Sequence, residues 1–365
     1  MRSLRCLPLL CCLILMLTGC GYKDIDKRFF VVSIGLDKPQ TDGKKIGVLL
    51  KLAVPSADSR AGKSAFMIVR EDGDSIAEAV RLLKSQVDKE LDFSHAKMIV
   101  VGEAIASTSI REWIDWLIRR RDIQMIAWMG IGRPDAASVL STSPVSERLP
   151  SNTLFLTFGE TGTETSYVVS EYLFDFRKRL YERGLDPILP IIESSSDGKL
   201  FRVNQAAVFD KNRQKLVLSA EETRMYNILS NRAERAESQV STRKNRFYVD
   251  IDVARTRYRF GQADAPKPQI IVEMDLEGTI EEAQTPLSSE KLDLYRKDAE
   301  ASIRKEALHL LKLLQKEGLD PLGLGLMYRG RSFSPQDWSN WQAIYPVVDF
   351  DVRVHVTLQG TGSLR

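Results

Sequence analysis

The sequence predicts a multi-domain α+β protein, with a mixed α/β N-terminal region and a C-terminal antiparallel sheet covered by one long helix. Three observations predict it. Between residues 29 and 140, short apolar runs alternate with helix-period segments, the pattern of strands and helices stacked in layers. Between residues 247 and 358, three segments alternate apolar and polar residues, the mark of an antiparallel sheet wet on one face. Between 289 and 317, one long helix-period stretch supplies a cover for the apolar face.

The chain opens on an export signal. Arg2 and Arg5 form a positive n-region and Leu7 to Leu17 an apolar h-region, too short for a comfortable transmembrane helix. Leu17-Thr18-Gly19-Cys20 closes it with small residues before a cysteine. This resembles a bacterial lipobox, in which the thiol of Cys20 is diacylated and becomes the first mature residue; the competing reading is an ordinary signal with an incidental cysteine. Acyl burial contributes about 0.8 kcal/mol per CH₂, so two chains suffice for stable anchoring. The four cysteines, Cys6, Cys11, Cys12 and Cys20, all lie at or before the cut. The mature chain therefore has no intramolecular disulfide, thiolate metal site or cysteine nucleophile, and its core must hold the fold.

Charge excludes one class of partner. Removing Arg2 and Arg5 takes Lys+Arg from 52 to 50 against 49 Asp+Glu, a formal charge of +1. That is no footprint for nucleic acid. A hydrophobic content of 43% with 28% charged residues describes a folded, soluble body. No second apolar run is long enough to span a bilayer.

Residues 21–28 are polar and form a tether. Phe29–Leu36 is a strand closed by Asp37-Lys38-Pro39; Gly47–Val54 is a second, ended by Pro55 and a loop at 56–64; Ala65–Val69 is a third. Ser75-Ile76-Ala77-Glu78 has the form of a capping box. The helix behind it runs to Glu90 with Ile76, Val80, Leu83 and Val87 on its apolar face. Met98–Val101 is a buried strand. Ile110, Trp113, Ile114 and Leu117 mark a helix ending in Arg119-Arg120-Arg121, cations suited to a helix C-terminus and also able to meet anionic lipid or a partner. Ile123–Ile131 is a strand containing Trp128, and Pro134 opens a short helix.

Residues 141–163 form a long loop. Its Gly159 and Gly162 come with two carboxylates and no lysine, so it is not a phosphate cradle. A helix spans 165–183 and stops at Gly184-Leu185-Asp186-Pro187. Residues 194–199 form a turn and the best boundary region in the chain. The expected division is a signal peptide at 1–19 and domains at 20–195 and 196–365, with a further split near 245 left open. Gln205–Phe209 and Lys215–Leu218 form a hairpin, and Glu221–Leu229 is helical. Phe247, Ile270 and Phe350 each begin an alternating strand. Ser289–Glu317 is the covering helix, with Leu292, Tyr295, Ala299, Ile303, Leu310 and Leu314 inward and Gly318 ending it.

Ordered landmarks along nearly the whole mature chain resemble one family. They are the lipobox at Cys20; Ile34-Gly35-Leu36-Asp37; Phe93-Ser94-His95 before Val100-Val101-Gly102-Glu103; Leu117-Ile118-Arg119-Arg120-Arg121-Asp122; and Ala207-Val208-Phe209. Asp320-Pro321-Leu322-Gly323-Leu324-Gly325 follows, then Trp341 before Tyr345-Pro346. The chain resembles the Ger(x)C spore germination lipoproteins, the C subunits of nutrient germinant receptors. It departs from them after the lipid cysteine, where Gly21-Tyr22-Lys23-Asp24 stands in place of the usual Trp-Asp. The resemblance implies an α+β fold with no cofactor and no catalytic activity. It implies attachment through acylated Cys20 to the outer face of the spore inner membrane. Its implied partners are the bilayer and integral-membrane A-type and B-type receptor subunits.

The residues offer no assembled catalytic set. His95 precedes a buried strand and is expected to be a core or interdomain histidine; His309 and His355 fall on the long helix and the last strand. No histidine pair has local metal-ligand spacing, and no HExxH or GxSxG occurs. Glu221-Glu222 and Glu281-Glu282 default to solvated surface, and Gly323-x-Gly325 to a turn. Trp338 and Trp341 lie three apart, so one face of their helix could meet a partner. The reading is a non-enzymatic, membrane-anchored receptor subunit. The runner-up is a solute-binding lipoprotein, which needs a deep apolar cleft with converging polar groups.

Overall fold

A computed structural model describes residues 27–54, 65–144, 154, 157–159, 165–242, 246–261, 268–284, 286–332 and 334–359. The signal peptide, Cys20, nearly all of the tether, the loop at 55–64 and most of the 141–163 loop lie outside the described residues.

The first sheet is built around β1 (Arg28–Asp37). It pairs antiparallel with β2 (Ile46–Val54), which pairs with β3 (Ala65–Gly73). On its other side β1 pairs parallel with the short β4 (Glu90–Asp92) and with β5 (Met98–Gly102). Beyond β5 come β6 (Trp128–Arg133) and β7 (Ile188–Ser194), both parallel, then β8 (Phe201–Phe209) and β9 (Gln214–Leu218), both antiparallel. The order is β3-β2-β1-β5-β6-β7-β8-β9, with β4 beside β1.

Helices bury both faces of this sheet, which explains why β5 is a continuous apolar run. Ile99 and Val101 join a core with α1 (Ile76–Lys84) and α3 (Ile110–Arg119), which follows the single turn α2 (Glu103–Ala106). Met98 and Val100 face the other way, toward α4 (Ala136–Ser141). All four apolar residues predicted for α3 are buried.

Three elements of the first-sheet region are shorter than their patterns predict. Helix α1 stops at Lys84, not Glu90, because the chain turns back to lay β4 along the start of β1. Ser75 accepts from the Glu78 N–H, but Glu78 reaches the Asp74 N–H, one residue beyond the expected partner. Strand β6 starts at Trp128, level with Met98; the Met125 and Ala127 carbonyls accept from Phe174 and Leu173 instead of a strand. The expected helix at 165–183 is confined to α5 (Leu173–Tyr181). Upstream, the Asn227 amide takes the Ser166 and Val168 carbonyls at 2.8 and 3.0 Å, diverting them from helical pairing.

The turn expected at 194–199 falls at the hairpin between β7 and β8 within the first sheet. The chain changes sheet later, after α6 (Ala220–Leu229). The second sheet has the order β10 (Ala236–Ser241), β11 (Arg246–Phe260), β12 (Gln269–Ala283), β13 (Asp349–Leu358). Its strands alternate buried and exposed residues as expected. The antiparallel expectation fails at the last pair, because β12 and β13 run parallel. Period-two patterning reports which side chains are wet, not strand direction. A parallel neighbour needs a long crossover, and the intervening helices provide it.

That crossover contains the covering helix α7 (Leu292–Glu317), preceded by a 3₁₀ turn at Ser289–Lys291 that delays its start. Tyr295, Ala299, Ile303, Ala307, Leu310, Leu311 and Leu314 are buried against the sheet, while Leu292 is partly buried. Gly318 closes the helix at φ 68°, a left-handed conformation that favours glycine. Helices α8 (Leu324–Ser332) and α9 (Asp337–Ile344) follow. One core runs from Ile188, Val208 and Leu218 of the first sheet through α6 to the second sheet and α7.

Candidate functional site

Cys20 lies outside the described residues; the described landmarks build polar keystones. Asp37, at the end of β1, accepts the Ala136 and Ala137 N–H groups at 2.7 and 2.9 Å and so holds the first turn of α4. Burial pushes its pKa up, and the two N–H bonds oppose that shift. Gly102 leaves room for this carboxylate: a Cβ there would lie 2.1 Å from Asp37 Oδ1. A Cβ on Gly35 would meet Leu49 and Ala136 Cβ atoms at 3.2 and 3.3 Å. Glu103 grips Arg133 with both carboxylate oxygens, and Arg133 also donates to Glu193 at 3.1 Å and Gln205 at 2.8 Å. This set ties together β6, β7, β8 and the start of α2.

The second keystone sits where the two sheets share their core. Asp320 is buried and accepts from Leu324 and Gly325 N–H groups at 2.9 and 2.6 Å, seating the N-terminus of α8. Burial pushes its pKa up to about 7. Asp186 exchanges two bonds with Asp320: its carboxylate accepts the Asp320 N–H at 2.7 Å, and its own N–H donates to the Asp320 carbonyl at 2.8 Å. Burial raises Asp186 as well, opposed by Lys211, whose ammonium lies 3.4 Å away. Lys211 also donates to the carbonyls of Arg179, Glu182 and Leu185, closing the end of α5. Arg179 donates to the Asp186 and Pro321 carbonyls at 3.1 and 2.9 Å and to the Tyr226 hydroxyl at 3.2 Å. The fully buried Glu171 sits between Arg179 and Arg232, at 2.9 and 2.8 Å.

Backbone approach completes the junction. Gly184, at φ 78°, packs on Gly325, and a Cβ on Gly184 would lie 2.6 Å from the Gly325 carbonyl carbon. The Gly323-x-Gly325 turn predicted from sequence is thus part of a close crossing between segments 184–186 and 320–325. Sequence reasoning missed Glu171, Asp186, Lys211 and Arg232, because a buried ion cluster assembled from distant segments leaves no local spacing signal. Its chemistry is compensation of buried charge. It pairs cations with carboxylates and carbonyls and presents no nucleophile with an adjoining base.

The other sequence candidates sit apart. His95 is exposed, contrary to the expected core position; its ring lies 4.5 Å from that of Phe30 and its Nδ1 3.0 Å from Ser94 Oγ. His309 is on the surface 3.1 Å from Glu222, and His355 is 3.8 Å from Glu300. Glu222 completes a capping box with Ser219 at the start of α6. Trp341 is buried and stacks on Tyr345 at 5.0 Å, and Trp338 packs against the same core, so the α9 tryptophans serve packing. Arg120 pairs with Asp122 and lies over the rings of Phe93 and Trp116, while Arg119 pairs with Asp115 at 2.7 Å. Among the described residues, no group of three or more His, Cys, Asp or Glu side chains is placed to hold a metal, and no helix is long and apolar enough to cross a membrane. Among the described residues, surface hollows of about 480 Å³ include one lined by Pro268, Lys312, Gln315 and Pro346–Asp349 and one by Glu193–Ser196 and Leu200–Arg202.

Residues 21–194 match the spore germination protein N-terminal domain, and residues 204–362 match the spore germination B3/GerAC-like C-terminal domain. The chain belongs to this spore germination family. It is 24% identical to the putative spore germination protein YfkR of Bacillus subtilis (strain 168), over 98% of this chain and 96% of that one. It is 23% identical to spore germination protein KC of the same organism, over 96% and 93% of the two chains. The crystal structure of the GerBC protein superimposes with a TM-score of 0.59 at 14% identity, covering 90% of this chain and 98% of that one, a likeness of fold.

Proposed function

We propose that this chain is the lipid-anchored, non-enzymatic subunit of a spore nutrient germinant receptor. In this reading Cys20 is acylated and holds the body at the outer face of the spore inner membrane. The body acts through contacts with integral-membrane A-type and B-type subunits. The observation that carries the reading is the family membership of nearly the whole mature chain, joined to the Leu17-Thr18-Gly19-Cys20 sequence directly before the family match begins at residue 21. The keystones support it, because their buried charges serve to fix one surface and not to turn over a substrate.

Cys20→Ala tests the anchor. The variant is expected to lose incorporated fatty acid and stable retention on membranes, and to impair germination. Fatty-acid labelling of the variant equal to that of the parent would contradict the assignment of Cys20.

A further inference from the structure

The parallel strands β1, β5, β6 and β7 all begin at one end of the first sheet, the end at which the chain enters the fold. Helix α5 lies along this end. Its first N–H groups are held by the Met125 and Ala127 carbonyls just before β6, and its last carbonyls by Lys211 at the β8–β9 turn. Leu173, Phe176 and Leu180 face the core. The opposite stripe, at helical spacing, is Phe174, Arg177, Lys178 and Tyr181, and all four are exposed. Phe174 and Tyr181 are 53% and 65% exposed, and beside Phe174 the turn before β6 presents Ile126 at 58%. Two aromatic rings and an isoleucine in water cost free energy that burial elsewhere would recover. The exposed stripe mixes rings with cations and carries no carboxylate, the composition of a helix that lies in a membrane interface. Arg121, also exposed, adds to the same end from the arginine run after α3.

We propose that this end of the first sheet rests on the bilayer, with Ile126, Phe174 and Tyr181 in the interface and Arg177, Lys178 and Arg121 on anionic lipid headgroups. The proposal rests on the reading of Cys20 as the anchor. Six residues separate Cys20 from Lys27, where the described chain begins, so whatever their conformation the seven Cα–Cα steps bring the body in within about 25 Å of the acylated cysteine. Charge and tether length favour lipid as the occupant. Leu200 provides an internal control: it is 60% exposed but lies in the β7–β8 turn at the opposite end of the same sheet.

The test uses the full chain after processing, carrying Ile126→Cys, Phe174→Cys or Leu200→Cys, each labelled with an environment-sensitive fluorophore. Thioether-linked Cys20 leaves the introduced thiol unique. In vesicles of phosphatidylglycerol and phosphatidylcholine containing spin-labelled lipid, labels at 126 and 174 are expected to shift to the blue and be quenched, and the label at 200 to be neither. Raising the salt, or combining the label at 126 with Arg177→Glu and Lys178→Glu, is expected to reduce that quenching. Equal quenching at 174 and 200 would overturn the proposal. So would a label at 174 left unquenched by these vesicles but shielded in spore membranes, which would assign the stripe to a protein partner. Intact mass reads acylation separately. An acylated chain with 174 unquenched sinks the surface and keeps the anchor, whereas a chain without acyl groups sinks the anchor, and the same labels in a chain with Cys6, Cys11, Cys12 and Cys20 replaced by Ser then decide the surface on added vesicles.

Discussion

At the residue scale, Gly102 and Asp320 carry the sharpest consequences. Gly102→Ala forces a methyl group onto Asp37 Oδ1 and displaces the carboxylate that holds α4. The expected cost is about 1–3 kcal/mol, read as a lower urea midpoint; an unchanged midpoint would mean that Asp37 yields freely. For Asp320 the sign follows from its raised pKa. Native Asp320 keeps a proton that the unfolded chain releases between its ordinary 3.8 and about 7. Its contribution to stability is therefore complete below the unfolded value and is lost as pH rises toward 7, by a few kcal/mol in total. Asp320→Asn is expected to make stability less dependent on pH across that window, and parallel pH profiles of the parent and variant would contradict the assignment. The sequence displayed both residues as landmarks without their reasons. Gly102 is small because of a carboxylate 65 positions earlier, and Asp320 is buried because segment 184–186 crosses it. The exposure of His95 is hidden for the complementary reason: the buried strand that follows says nothing about which side of the 3₁₀ turn at Phe93–His95 faces water.

At the scale of elements, periodicity was most informative where an element is long. The 26-residue α7 repeats its apolar face often enough to show its inward stripe, and all the predicted inward residues are buried except Leu292, which is partly so. Leu310 is fully buried, so Leu310→Ala is expected to cost about 2–5 kcal/mol. Chemical denaturation checks it, and an unchanged midpoint would place Leu310 outside the core. The pattern overextends the short α5 because two carbonyls in the helix-compatible stretch 165–172, those of Ser166 and Val168, are taken by Asn227, more than fifty positions away. The parallel pairing of β12 with β13 was equally invisible, since both directions give the same alternation of wet and buried faces.

At the scale of the whole molecule, the two sheets share one core and a buried ion cluster. Each half supplies groups that the other needs: Asp186 holds the Asp320 backbone, Arg179 the Pro321 carbonyl, and Gly184 gives way to Gly325. A body joined in this way fits the contact role proposed above. The family was legible in the order of the landmarks, and the anchor expectation in the residues around Cys20. The ion cluster was not, because folding from distant segments creates it. The central claim is that this body works as part of a membrane receptor. Affinity purification of the full chain from detergent-solubilised spore membranes, with the recovered proteins quantified by mass spectrometry, tests it most directly. The account predicts two integral-membrane subunits recovered in constant ratio to the chain. Recovery of the chain without either, from membranes on which both are present, would contradict it.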